Sequence, residues 1–131
     1  MNDFDIIKML QVLYDAVDGI SQNRFLSERP KIENDKMDNF VVVALPGTIL
    51  KPVIGNGYGS SYSICRIELY ARNIASGMNI RKLDEMLKAV TALFPISQNG
   101  VSVKNPKVVM RGSDDNDFHV ILINADISIS N

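Results

Sequence analysis

The sequence predicts an α+β fold, a mainly antiparallel sheet with two amphipathic helices packed on one face, and three observations predict it. Two segments repeat apolar residues at helical spacing, several others are β-branched runs or strict alternations, and clusters of Gly, Pro, Asn and Asp separate them. The expected order is α-β-β-β-α-β-β. With no internal repeat, no low-complexity stretch and no linker of useful length, residues 1–131 read as a single domain.

From Phe4 to Ile20 the residues Ile6, Leu10, Leu13, Val17 and Ile20 recur every three or four positions, with Lys8, Gln11, Asp15 and Asp18 on the other side. This is an amphipathic helix, with Asn2 or Asp3 placed to cap it and Gly19 to weaken it at its end. Arg24 to Arg29 reads as a short edge strand, because Pro30 and the polar stretch Lys31 to Asn39 follow it. Phe40-Val-Val-Val-Ala-Leu45 is apolar at every position, the pattern of a strand covered on both faces. Pro46-Gly47 ends it, and Thr48 to Ser61, with Pro52, Gly55, Gly57 and Gly59, reads as an open loop.

Between Tyr62 and Arg72 the residues Cys65, Ile67, Leu69 and Ala71 alternate with Arg66, Glu68, Tyr70 and Arg72, as in a half-buried strand. Ile80, Leu83, Leu87, Val90 and Phe94 then define a second helix, supported by an Asp84–Lys88 pair and stopped by Pro95. Val101 to Arg111 and Phe118 to Ser130 flank the turn-forming cluster Gly112 to Asp117 and so form an antiparallel hairpin.

Composition narrows the function. A 46% apolar and 22% charged chain is ordinary for a globular protein. Fourteen basic against fifteen acidic residues leave a formal charge of -1, which carries no overall footprint for nucleic acid or an anionic membrane. Cys65 is the single cysteine, so no internal disulfide forms. No secretory signal is readable, and the longest apolar run, Phe40 to Leu45, is far short of the ~20 residues of a membrane-spanning helix.

Candidate chemistry is sparse. His119, the one histidine, shares its parity with Ile121 and Ile123, and no second acid–base group is specified near it, which favours a structural role. Cys65 lies on the apolar parity of its strand, where a thiol is a small hydrophobe, so a Cys65–His119 catalytic pair is a remote alternative. Asp114-Asp-Asn-Asp117 lacks the spacing and terminal glutamate of an EF-hand loop and reads as a solvated hairpin tip. Gly55-Asn-Gly57-Tyr-Gly59 is followed by a strand with no Lys-Ser or Lys-Thr pair, so it is no phosphate loop. The loop carries Tyr58, with Tyr62 close behind, and can instead offer contact surface to a protein. The polar parity of the last strand, Asn124, Asp126 and Ser128, continues from Val120 and Leu122, so that face is expected to be half covered and half exposed, as at an assembly surface. Catalytic, metal-binding and cofactor-binding residues are therefore expected to be absent.

An N-terminal amphipathic helix, a Val-rich strand closing on Leu45-Pro-Gly47, the strand Ile64-Cys-Arg-Ile-Glu-Leu-Tyr-Ala-Arg72, the helix Ile80 to Phe94 and a long terminal hairpin follow one another. This arrangement resembles the small tail-completion, tail-terminator and neck proteins of long-tailed bacteriophages and prophages. The resemblance implies a non-catalytic ring, commonly of six subunits, that caps a tail tube and meets head-connector proteins. It implies assembly in the bacterial cytoplasm and a final place in the virion tail or neck. A ring needs head-to-tail contacts between two different patches of each subunit. On this reading the partner-binding residues are Gly55, Asn56, Gly57, Tyr58, Gly59, Tyr62, Asp114 and Asp115. The competing reading is a small ligand- or protein-binding module, or less readily an enzyme, that uses a pocket between helices and sheet.

Overall fold

The computed structural model describes residues 6–26, 37–45, 60–75, 77–114 and 117–130. Helix α1 spans Ile6–Ala16, followed by strands β1 (Arg24–Leu26), β2 (Asn39–Ala44) and β3 (Ser60–Arg72). Helix α2 (Ile80–Thr91) and strands β4 (Ile96–Gln98), β5 (Val101–Ser113) and β6 (Phe118–Ser130) complete the order. The strands form one sheet ordered β1-β2-β3-β6-β5-β4, in which β1 runs parallel to β2 and every other pair is antiparallel. The α+β class holds, with one strand more than the sequence reading anticipates. That strand, β4, is joined to β5 by Asn99-Gly100, both at positive φ (53° and 79°), the conformation a two-residue hairpin turn requires.

The two long central strands pair along their whole length, from Ser60 opposite Ser130 to Arg72 opposite Phe118. Because side chains alternate across a strand, this register puts Cys65, Ile67, Leu69 and Ala71 on one face beside Ala125, Ile123 and Ile121. Val41 and Val43 of β2 and Val101 and Val103 of β5 extend that face, and both helices cover it in one continuous core. On the opposite face Phe40, Val42, Tyr70, Phe118, Val120 and Leu122 form a second, aromatic cluster. The apolar run Phe40–Ala44 of β2 is thus buried on both sides, Val41, Val42 and Val43 each being wholly inaccessible.

The buried helix faces agree with the sequence reading at Leu13, Val17, Ile20, Leu83 and Val90 and differ from it at a few positions. In α1 the buried residues are Met9, Val12 and Leu13, with Val17 and Ile20 beyond it, while Ile6 lies exposed and Leu10 is only half-buried. In α2 Met86 is buried together with Leu83 and Val90, whereas Ile80 is exposed and the helix ends at Thr91, before Phe94. Methionine fills these positions because its unbranched chain adapts to irregular space. The caps proposed at Asn2 and Asp3 lie outside the described residues. The Asp84–Lys88 pair forms at 2.9 Å.

The start of α2 is held by Asn79, whose side-chain oxygen accepts a hydrogen bond from the Lys82 backbone N–H at 3.2 Å. Replacing Asn79 by alanine leaves that N–H without its cap and is expected to cost about 1 kcal/mol. Urea unfolding followed by circular dichroism reads this as a lower midpoint with an unchanged slope.

Candidate assembly surface

Strand β5 behaves as two strands in succession. Val101, Ser102 and Val103 pair with β4 on one side and β6 on the other. From Lys104 to Ser113 the strand pairs with β6 alone, so among the described residues this stretch is an open sheet edge. Every residue in it is exposed. Two bulges break its register, one at Asn105-Pro106 and one at Arg111. Asn105 takes a positive φ of 59° and donates a hydrogen bond from Nδ2 to Asp126 at 2.9 Å, and Gly112 takes a φ of 84°.

Proline, lysines and bulges are the usual means of blunting an edge against indiscriminate pairing, and Lys104, Pro106 and Lys107 supply them here. Between the bulges the protection lapses. Val108, Val109 and Met110 are 43%, 37% and 62% exposed, consecutive, and flanked by Lys107 and Arg111. Val108 and Met110 share a face with their buried partners Ile123 and Ile121, so the apolar surface beneath the helices runs out uncovered at this edge.

The opposite side of the sheet carries a different surface. An open groove of about 460 Å³ lies where the end of α1, the approach to β1 and the start of β2 meet α2, and Asp18, Asp38 and Glu85 are on its walls. Its floor is fixed by a polar corner. The Ser21 hydroxyl donates to Asn39 Oδ1 at 2.6 Å, and Asn23 Nδ2 donates to the Asn39 carbonyl at 3.0 Å. Asp18 and Glu85 are paired with Arg24 (3.1 Å) and Lys82 (3.4 Å), yet their side chains remain 76% and 68% exposed.

A second groove, about 410 Å³, lies on the sheet face away from the helices, where Arg66, Glu68 and Tyr70 of β3 meet the bulged end of β5. The Tyr70 hydroxyl donates to Glu68 at 2.8 Å, and Arg66 approaches the same carboxylate at 3.5 Å. Val120 and Leu122, which also line this groove, are buried, while Asp126 farther along β6 is exposed, the half-covered pattern expected of β6.

Of the contact residues read from the sequence, Gly55, Asn56, Gly57, Tyr58, Gly59 and Asp115 lie outside the described residues. Tyr62 is on β3 opposite Ser128, and its side chain is likewise outside the description. Asp114 closes the β5–β6 turn. Its backbone N–H donates to the Phe118 carbonyl at 2.8 Å, and its carboxylate accepts from the Phe118 N–H at 3.0 Å.

His119 is structural in its contacts. It stands opposite Ala71, and Asn73 fixes it in place: Asn73 Nδ2 donates to Asp117 (3.2 Å) and Ser113 (3.4 Å), which turns Oδ1 toward His119 to accept from Nδ1–H. The network ties the end of β3 to the hairpin tip. Cys65 pairs with Ala125, six residues along β6 from His119 and hence roughly 20 Å away, so the two cannot cooperate in thiol chemistry. Burial pushes the Cys65 thiol up to about 12, the reverse of an activated nucleophile. Among the described residues no group of three or more His, Cys, Asp or Glu side chains is placed to hold a metal ion. No described helix is long and apolar enough to cross a membrane.

The open edge and its counterpart groove went unread in the sequence, although one signal for the edge was present. Pro106 within a strand-like run marks an edge or a bulge, and the unalternating Val108-Val109-Met110 behind it has no reason to be there in a solvated strand.

No protein-family model matches the chain, and no curated protein does. Its fold is shared with a chain of a solved structure. The chain superposes on a chain in the solved structure "Virion of native gene transfer agent (GTA) particle" with a TM-score of 0.65, covering 98% of this chain and 99% of that one at 11% identity.

Proposed function

We propose that this protein is a structural component of a phage or prophage virion, a ring-forming tail terminator or head–tail joining protein with no catalytic role. The observation that carries the reading is the correspondence with a virion chain over 98% of this chain and 99% of that one. The long strands, the open β5 edge and the groove on the opposite side of the sheet suit a subunit held by its neighbours. Its partners are further copies of itself, in a ring of about six, and the tail and head-connector proteins on either side. It assembles in the bacterial cytoplasm and ends in the tail or neck of the particle. The competing ligand-binding reading needs a pocket between helices and sheet. There Met9, Leu13, Leu83, Met86 and Val90 pack directly on the strands.

Immuno-electron microscopy of particles from the producing bacterium tests the placement. Label confined to one end of the tail, or to the joint with the head, is expected. Label along the whole tube, or particles free of label, contradicts the proposal.

A further inference from the structure

We infer that the ring contact joins the β5 edge of one subunit, through Lys107, Val108, Met110 and Arg111, to the acidic Asp18–Asp38–Glu85 groove of a second copy. The inference rests on the ring reading above and adds to it the two surfaces that meet. A closed ring of identical subunits needs two different complementary patches on each. The two surfaces satisfy that requirement in place and in charge.

The groove adjoins β1, at one end of the strand order, and the open stretch belongs to β5, near the other. Four strand spacings separate β1 from β5, roughly 19 Å, so the two surfaces of one molecule do not reach each other. They are free to be met by neighbours. The edge carries the exposed cations Lys104, Lys107 and Arg111 along the same stretch as the exposed Val108, Val109 and Met110, and the groove carries three carboxylates against the one lysine, Lys82, Asp18 and Glu85 being paired with Arg24 and Lys82 yet well exposed. Apolar contact at the centre with charge complementarity around it is the usual anatomy of a specific interface. The bulges and Pro106 exclude simple strand addition by an arbitrary chain, which leaves a side-chain contact of defined partner.

The test is charge reversal with rescue, read as solution mass against concentration. The edge variant carries Lys107→Glu and Arg111→Glu, and the groove variant carries Asp18→Lys and Glu85→Lys. All four side chains are exposed, and unchanged melting curves verify that the variants fold. Each variant alone is expected to raise the concentration needed for assembly by roughly 100-fold, since like charges then face each other across every contact. A chain carrying all four changes restores complementarity and assembles near the wild-type concentration. Edge or groove variants that assemble as wild type does, or a four-fold variant no better than either pair, overturn the assignment while leaving the ring itself standing. Rings that persist in the edge variant while binding to a duplex DNA fragment is lost would give the basic edge to nucleic acid and likewise overturn it. A wild-type chain that never assembles, even with its tail partners, removes the ring reading and this contact together.

Discussion

Replacing Phe40 by alanine is expected to lower the unfolding free energy by roughly 3–5 kcal/mol, a large fraction of a small domain's stability. Phe40 is 1% exposed and is the centre of the cluster on the sheet face away from the helices. Its ring stacks on Tyr70 with centroids 4.3 Å apart and meets the edges of Phe118 at 5.1 Å and Phe25 at 5.8 Å. Truncation removes three aromatic contacts together and leaves a void between strands that their pairing holds at fixed spacing. The surroundings collapse poorly into such a void, which puts the cost at the upper end. Phe40→Leu retains most of the volume and loses only the ring geometry, so it is expected to cost less than half as much. Urea titrations of the two variants check the pair of values. Equal losses would mean that the stacked ring geometry, and not the buried volume that leucine keeps, accounts for the cluster.

The second large effect depends on pH. Cys65 is wholly inaccessible, and burial, the main cause, raises its thiol from about 9.0 to about 12; nearby Asp126 adds to the rise, while hydrogen bonds from the Cys65 and Ala125 backbone oppose it. With the folded value above the unfolded one, both states keep the proton below pH 9 and the contribution is fully present. Between pH 9 and about 12 the unfolded chain releases its proton while the folded chain holds it, so stability falls as pH rises. The slope approaches about 1.4 kcal/mol per pH unit at its steepest. Lysines and tyrosines titrate in the same range, so the measurement is a difference: unfolding free energies of wild type and Cys65→Ala from pH 8 to 11. The gap between them is expected to narrow as pH rises. A pH-independent gap would show that the thiol ionises in the folded protein as readily as in the unfolded one. At pH 8 the folded protein should also resist iodoacetamide, and the unfolded protein should react.

Much of the fold was legible because parity is local. Cys65, Ile67, Leu69 and Ala71 point to one face by alternation alone, and the unbroken Phe40–Ala44 run reports cover on both sides, as the two clusters bear out. The pairing of β1 was not legible. Three residues carry no usable parity, and the choice of a parallel partner in β2 is made by contacts distant in sequence. Strand β4 was overlooked for its brevity, although Asn-Gly, here Asn99-Gly100, is a strong short hairpin signal. A few helix positions were misjudged for a related reason. Ile6 and Ile80 look like core residues by hydropathy, but they sit at helix starts beyond the reach of the sheet, and Met9 and Met86 take the buried positions.

The candidate surface was less legible than the fold. Sequence reading favoured the glycine-rich loop because glycine and tyrosine mark contact loops in general. It passed over β5, whose exposure follows from β4 ending after three residues. Within β5 only Pro106 and the unalternating Val108-Val109-Met110 mark its outer side as open. The opposing groove gathers Asp18, Asp38 and Glu85 from three separate segments, which only the folded chain brings together.

The central claim is assembly into a ring, and the solution mass of the purified protein tests it most directly. Light-scattering chromatography over a range of protein concentration, at low and high salt, is expected to give a discrete species of about six subunits that dissociates as salt screens the contact. A strict monomer under all these conditions, unchanged by added tail proteins, would contradict it.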